Sequence, residues 1–109
     1  MGLFSRRGRA PRSSGVRVAQ RADLDHLEQF VRSRSGVEGY VEPRTTVTDT
    51  TLILIAHDGE WTRRRIPDPR VAREFGHRLS IPVYNVQLTG YPQRMRDYNE
   101  RRKRAAEPG

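Results

Sequence analysis

His57 and Asp58 stand side by side, and an imidazole next to a carboxylate has the makings of a general base with the group that orients it. Asp58 is also followed by Gly59, and Asp-Gly between two β-forming runs is a turn signal, so the same pair reads as a solvated residue at a hairpin corner. His26 and His77 lie in other segments and no cysteine accompanies them, so metal ligation would need a convergence that their spacing does not supply. Gly8, Gly15, Gly36 and Gly39 are scattered and match neither nucleotide-binding fingerprint. These residues lead to no expected catalytic, metal or cofactor-binding site and to no cofactor.

The arginines carry more. Of the 21 basic residues, 20 are arginine and one is Lys103. Guanidinium groups grip phosphate bidentately and stack on bases, which suits nucleic acid; codon usage in a GC-rich genome produces the same bias. Their placement adds to their type. The formal net charge of +8 comes from the ends, with Arg6, Arg7, Arg9, Arg12, Arg17 and Arg21 unopposed by any acid before residue 22. A second cluster, Arg94, Arg96, Arg101, Arg102, Lys103 and Arg104, is only partly offset by Asp97, Glu100 and Glu107, while residues 22–90 sum to −1. A nearly neutral domain with basic ends points to a polyanionic or acidic partner.

Composition bounds the rest. A chain of 109 residues with a polar arm has room for one small domain around one modest core. The lack of cysteine removes disulfide and thiolate chemistry and fits a reducing, cytoplasmic setting. Ser5-Arg6-Arg7 has the twin-arginine look, but no apolar stretch follows it, and Arg6 occupies the position that a myristoylation motif reserves for Ser or Thr. No run approaches the roughly 18 apolar residues of a transmembrane segment.

Residues 1–21 show no apolar period and read as a disordered Arg-rich arm. Leu24, Leu27, Phe30 and Val31 at helical spacing predict a helix over 24–34, opened by Asp23 and Asp25 and closed before Gly36. Alternation over 37–44 predicts a half-buried strand with Val37, Gly39 and Val41 on one side and Glu38, Tyr40 and Glu42 on the other. The run 51–57 predicts a strand covered on both faces, returned by Asp58-Gly59 into a strand over 60–66. Asp68 as N-cap and Pro69 at the first position predict a helix that buries Val71, Ala72, Phe75 and Leu79. A strand over 81–88 follows, parallel to that of 60–66, and after Gly90 a last helix starts at Pro92 with Tyr91, Met95 and Tyr98 on one face.

A two-residue type I′ turn pairs His57 with Glu60 and sets Trp61 opposite Ala56, Arg63 opposite Leu54 and Arg65 opposite Leu52. Trp61 then reads as a packing residue or a stacking platform. Arg63, Arg64 and Arg65 either bind phosphates or pair with Glu38 and Glu42.

The segments 42–48, 56–65, 81–84 and 90–98, which include Ala-His-Asp-Gly-Glu-Trp-Thr-Arg-Arg-Arg and Gly-Tyr-Pro-Gln-Arg-Met-Arg-Asp-Tyr, resemble a family of small uncharacterised actinobacterial proteins across residues 22–104. The resemblance implies a source and supplies no activity, cofactor or catalytic residue.

The expected fold is a single α+β domain over 22–104, a mixed sheet of about four strands with three helices in the order α-β-β-β-α-β-α, followed by a flexible tail over 105–109. A dsRNA-binding domain shares the opening helix and three strands, but here the next helix returns into a further strand. The expected function is a noncatalytic basic module that binds nucleic acid or a ribonucleoprotein through Arg6, Arg7, Arg9, Arg12, Arg63, Arg64, Arg65, Arg94, Arg96, Arg101, Arg102, Lys103 and Arg104. The alternative is an adaptor for an acidic protein that uses the Tyr91–Tyr98 segment, and the third is a small enzyme, including an oxidoreductase, with no recognisable site.

Overall fold

The structure, a computed structural model, describes residues 20–106. Helix α1 occupies 20–33 and starts earlier than the expected 24, because Gln20, Arg21 and Ala22 are compatible with helix and nothing caps at residue 23. Asp23 lies within α1 and faces Arg64 across 3.6 Å. Leu27 and Phe30 are buried at the helical spacing that the sequence shows.

Strands β1 (Glu38–Glu42), β2 (Thr51–Ile55) and β3 (Trp61–Arg65) form an antiparallel meander. Helix α2 (Pro69–Leu79) is capped by the Asp68 carboxylate, which accepts from the N–H groups of Arg70 and Val71, and ends at Ser80 in the left-handed conformation. Strand β4 (Val83–Asn85) then pairs in parallel with β1, giving the sheet order β3-β2-β1-β4. The two strands that flank α2 are thus separated by β2 and β1. Gly76 allows this return, since a Cβ there would overlap Val83 Cγ2 and come within 2.9 Å of the Ile81 carbonyl oxygen.

The expected strand over 81–88 is cut to three residues. Beyond Asn85 the partner strand β1 has only Glu42 before Pro43, and Asn85 itself caps a one-turn helix, α3 (Val86–Thr89), by accepting from Gln87 N–H at 2.8 Å. Helix α4 (Gln93–Ala106) follows, so the described residues hold four helices where three were expected, and helix continues through 105–106, part of the expected flexible tail. The α+β class and the four-stranded mixed sheet hold.

The sheet is covered on both faces. Val37, Val41, Leu52, Leu54, Ala56 and Ile66 pack with Leu27 and Phe30 of α1 and Ala72 and Phe75 of α2. On the other face Tyr40, Ile53 and Ile55 pack with Met95 of α4, flanked by Trp61, Val86 and Tyr91. The centre of β1 is therefore buried on both sides, where alternation alone had suggested a half-buried strand. Tyr40 lies under Met95 of α4, while Glu38 and Glu42 are half-buried at the two ends of the strand.

The hairpin corrects the expected register by one residue. Gly59 N–H donates to the Ala56 carbonyl at 2.9 Å and Ala56 N–H to the Glu60 carbonyl at 2.8 Å, which closes a three-residue loop, His57-Asp58-Gly59. Only Gly59 has positive φ, 94°, so the turn is not type I′. Asp58 Oδ1 accepts from Glu60 N–H at 3.0 Å and holds the extra residue in place. Ile55 now faces Trp61, Leu54 faces Thr62 and Ile53 faces Arg63, which moves Trp61 and Arg63 to the α4 side.

Gly59 is constrained twice. Its φ disfavours any side chain, and a Cβ would overlap the Arg94 carbonyl and reach within 2.8 Å of Tyr98 Cβ. A type I′ turn would tolerate Asn at this position, but the packed loop excludes it. Gly59→Ala and Gly59→Asn are both expected to lower stability by on the order of 2–4 kcal/mol in urea denaturation, the cost of left-handed strain plus overpacking. A harmless Asn variant would show that α4 does not seat on this loop.

Candidate polyanion-binding surface

Register determines what the arginines of β3 reach. Arg63 points to the α4 side and grips Glu42 with two parallel bonds, Nε to Oε1 at 2.6 Å and Nη2 to Oε2 at 2.9 Å. Glu42 also accepts from Thr51 Oγ1 at 2.6 Å and from the Tyr91 hydroxyl. Arg64 lies on the opposite side near Asp23, and Arg65 shares Asp49 with Arg44, at 3.5 and 3.9 Å. The pairing alternative therefore holds for Arg63 with Glu42, while Arg64 and Arg65 take other carboxylates.

Glu38 is held by Arg94. The guanidinium donates from Nη2 to Glu38 Oε1 at 2.6 Å, from Nε to the Ala56 carbonyl at 3.0 Å and from Nη2 to the Ile55 carbonyl at 3.3 Å. Tyr40 adds a hydroxyl donor to the same carboxylate at 3.1 Å. Arg94 thus ties the first turn of α4 to the end of β2, and both Arg63 and Arg94 are spent on the domain's own acids. Arg96 folds back on the start of α4, donating to the Tyr91 carbonyl and to Gln93 Oε1.

From residue 99 onward α4 is exposed on every side. Arg101 donates to the Asp58 carbonyl at 2.8 Å and Arg102 to the Tyr98 hydroxyl at 3.2 Å, both neutral acceptors. Among the described residues, none of Arg101, Arg102, Lys103 and Arg104 forms a salt bridge. Four successive cations therefore occupy the free end of α4, with Lys103 and Arg104 in its last turn, where the helix dipole favours positive charge. Arg6, Arg7, Arg9 and Arg12 lie outside the described residues.

The histidines do not assemble. His26 Nε2 is 2.7 Å from Thr62 Oγ1, and its pKa is lowered, by burial first and by the neighbouring Arg64 charge next. His57 is exposed at the loop, and Asp58 directs its Oδ1 to the backbone of Glu60 rather than to the imidazole. Among the described residues no three His, Asp or Glu side chains are grouped to hold a metal ion. No helix among them is long and apolar enough to cross a membrane.

Sequence reasoning named Glu38 and Glu42 as possible partners of the β3 arginines, but it missed Arg94 as the partner of Glu38 and missed Tyr91 and Asn99 as positioning residues. Asn99 accepts from Trp61 Nε1 at 2.8 Å across 38 residues, a pairing that no local pattern reveals. No protein-family model, curated protein or solved structure matches the chain.

Glu42 is the most burdened of these groups, with its side chain only 18% exposed. Burial pushes its pKa up, but the bonds from Arg63, Thr51 and Tyr91 together outweigh burial and leave it below the ordinary glutamate value. Its stabilising effect is therefore fully present above the unfolded-state value, about 4.3, and is lost as pH falls through the lower folded value. Glu42→Gln is expected to cost about 1–3 kcal/mol at pH 7, and the gap from wild type is expected to narrow as pH drops below about 4. Urea denaturation across that range checks both; a gap independent of pH would remove the ion pair from the account.

Proposed function

We propose that this protein is a noncatalytic binding module for a polyanion, with nucleic acid, free or in a ribonucleoprotein, as its ligand. The observation that carries the reading is the contrast within one set of arginines. Arg63 and Arg94 are neutralised inside the domain, whereas Arg101, Arg102, Lys103 and Arg104 extend past the sheet on a helix with no carboxylate bonded to them among the described residues. Cations carried on a helix lose little backbone entropy when they meet phosphates, and each phosphate neutralised releases a counterion. The six arginines before residue 22 add charge of the same sign.

The adaptor alternative relies on the segment Tyr91–Tyr98. Tyr91 and Met95 of that segment pack against the sheet and Arg94 is bonded beneath it, which leaves Gln93, Arg96 and Asp97 as its exposed side chains. An acidic protein has less to read there than a phosphate chain has along 101–104.

Binding to a nonspecific oligonucleotide is expected to weaken by about a hundredfold between about 50 and 200 mM salt for every four phosphates contacted. Replacing Arg101, Arg102, Lys103 and Arg104 together by Gln is expected to flatten the slope of log affinity against log salt by about 3 while leaving the circular dichroism spectrum in place. Fluorescence anisotropy with a labelled oligonucleotide reads this directly. An unchanged slope in the quadruple variant would assign binding elsewhere, and co-purified material that survives nuclease treatment would favour the protein partner.

Removal of residues 1–18 is expected to weaken the same binding and to leave the melting temperature nearly unchanged, since the segment is rich in Arg, Ser and Gly and shows no apolar period. A large fall in melting temperature would make the arm part of the fold.

A further inference from the structure

Between the hairpin and α4 lies an open recess of about 410 Å³, lined by Glu60, Trp61, Tyr98, Asn99 and Arg102. Two aromatic side chains, one from a strand and one from a helix, border the same space. Each already has cations at its ring: the Arg63 guanidinium lies 5.2 Å from the Trp61 ring centre, and those of Arg101 and Arg102 each lie 5.8 Å from that of Tyr98.

The polar groups are arranged unequally. Glu60 is held by Arg34 through two bonds, at 3.1 and 2.6 Å, so its carboxylate is partly neutralised at the rim. Asn99 uses its Oδ1 to accept from the indole N–H, which turns its two amide N–H donors outward with no partner among the described residues. Arg102 stands one helical turn further on, and Asn99, Arg102 and Lys103 form one stripe along α4 at i, i+3 and i+4. An aromatic pair, a free amide donor and a line of cations leading away describe a place for a planar, hydrogen-bonding group joined to an anionic chain.

We propose that this recess is a nucleobase subsite, in which an unpaired base stacks against Trp61 and Tyr98, receives hydrogen bonds from the Asn99 amide, and passes its phosphates along Arg102 and Lys103. The inference rests on the polyanion reading above and narrows its ligand to single-stranded nucleic acid. A duplex keeps both faces of each base covered by its neighbours, so only an unstacked nucleotide offers a face to the two rings. The recess reads the flat face and one edge of a base, chemistry that RNA and DNA share.

Trp61 is the sole tryptophan in the chain, so its fluorescence reports on the proposed subsite and on no other place. The full chain is titrated at low salt with single strands of about 12 nucleotides, as RNA and as DNA, with the matching duplex, and with linear polyphosphate, which has the charge and no bases. Single strands are expected to quench Trp61 as they bind, polyphosphate to bind without quenching, and the duplex to bind more weakly than the single strand. The tighter of RNA and DNA names the source. Asn99→Ala, at an exposed position, and separately Tyr98→Leu are expected to weaken single-strand binding about tenfold while leaving polyphosphate binding within about threefold. Binding of single strand, duplex and polyphosphate with equal affinity and no change in Trp61 fluorescence would overturn the base subsite and leave the polyanion reading standing. No binding of any of the four at low salt would overturn both.

Discussion

Two half-buried carboxylates at the ends of one strand govern this architecture. Glu38 and Glu42 sit at the two ends of β1 on the face that α4 covers, with Tyr40 buried between them. Both carboxylates are half-buried, and a partly desolvated carboxylate costs free energy unless a cation meets it in hydrogen-bonding geometry. Arg94 answers Glu38 from α4 itself, and Arg63 answers Glu42 from β3. The two pairs lie on opposite sides of the Tyr40–Ile53–Ile55–Met95 cluster and bracket it. Apolar packing supplies the attraction between α4 and the sheet, the Arg94–Glu38 pair selects where along the sheet it settles, and the Arg63–Glu42 pair ties β3 to β1.

That requirement reaches back into the hairpin. Arg63 meets Glu42 only if β3 presents it on the α4 side, and a hairpin with a two-residue loop would turn Arg63 the other way. The three-residue loop, with Asp58 bonding the Glu60 amide and Gly59 in the left-handed region, supplies the needed shift. The same glycine then forms the floor on which the Arg94 carbonyl rests, so turn, register and helix docking are one interlocked choice. Trp61 arrives beside α4 by that route. Its partial exposure there, next to Tyr98, follows from the register and not from any property of the residue alone.

The basic character of the chain divides accordingly. Arginines that meet acids across the sheet become part of the fold and lose their long-range field, since each pair is neutral at a distance. Those on the last two turns of α4 form no salt bridge among the described residues, and although Arg102 borders Glu60 across the recess, their side chains stay exposed. A formal charge count made along the chain cannot separate the two, because Arg94 and Arg104 belong to the same run and differ only in what lies beneath them. The cations without a carboxylate partner among the described residues are the ones that keep their field in solvent.

Much of this was legible in the residues themselves. The apolar spacing of Leu24, Leu27, Phe30 and Val31, the Asp68-Pro69 helix start, the aliphatic run at 52–55 and the glycine turn each have a short-range physical cause, so the α+β class and the element order could be read without coordinates. Boundaries failed where a cause was distant: β4 stops at Asn85 because β1 runs out, and Gly59 rejects a side chain because Arg94 is 35 positions away in the chain. The candidate surface divided in the same way. The sequence by itself determined that basic residues crowd the final helix. Only the tertiary structure decided that Arg94 is used up on Glu38, that Arg63 is used up on Glu42, and that Trp61, Tyr98 and Asn99 border one recess, because charge neutralisation and ring placement depend on neighbours that the chain brings together only when the sheet is assembled.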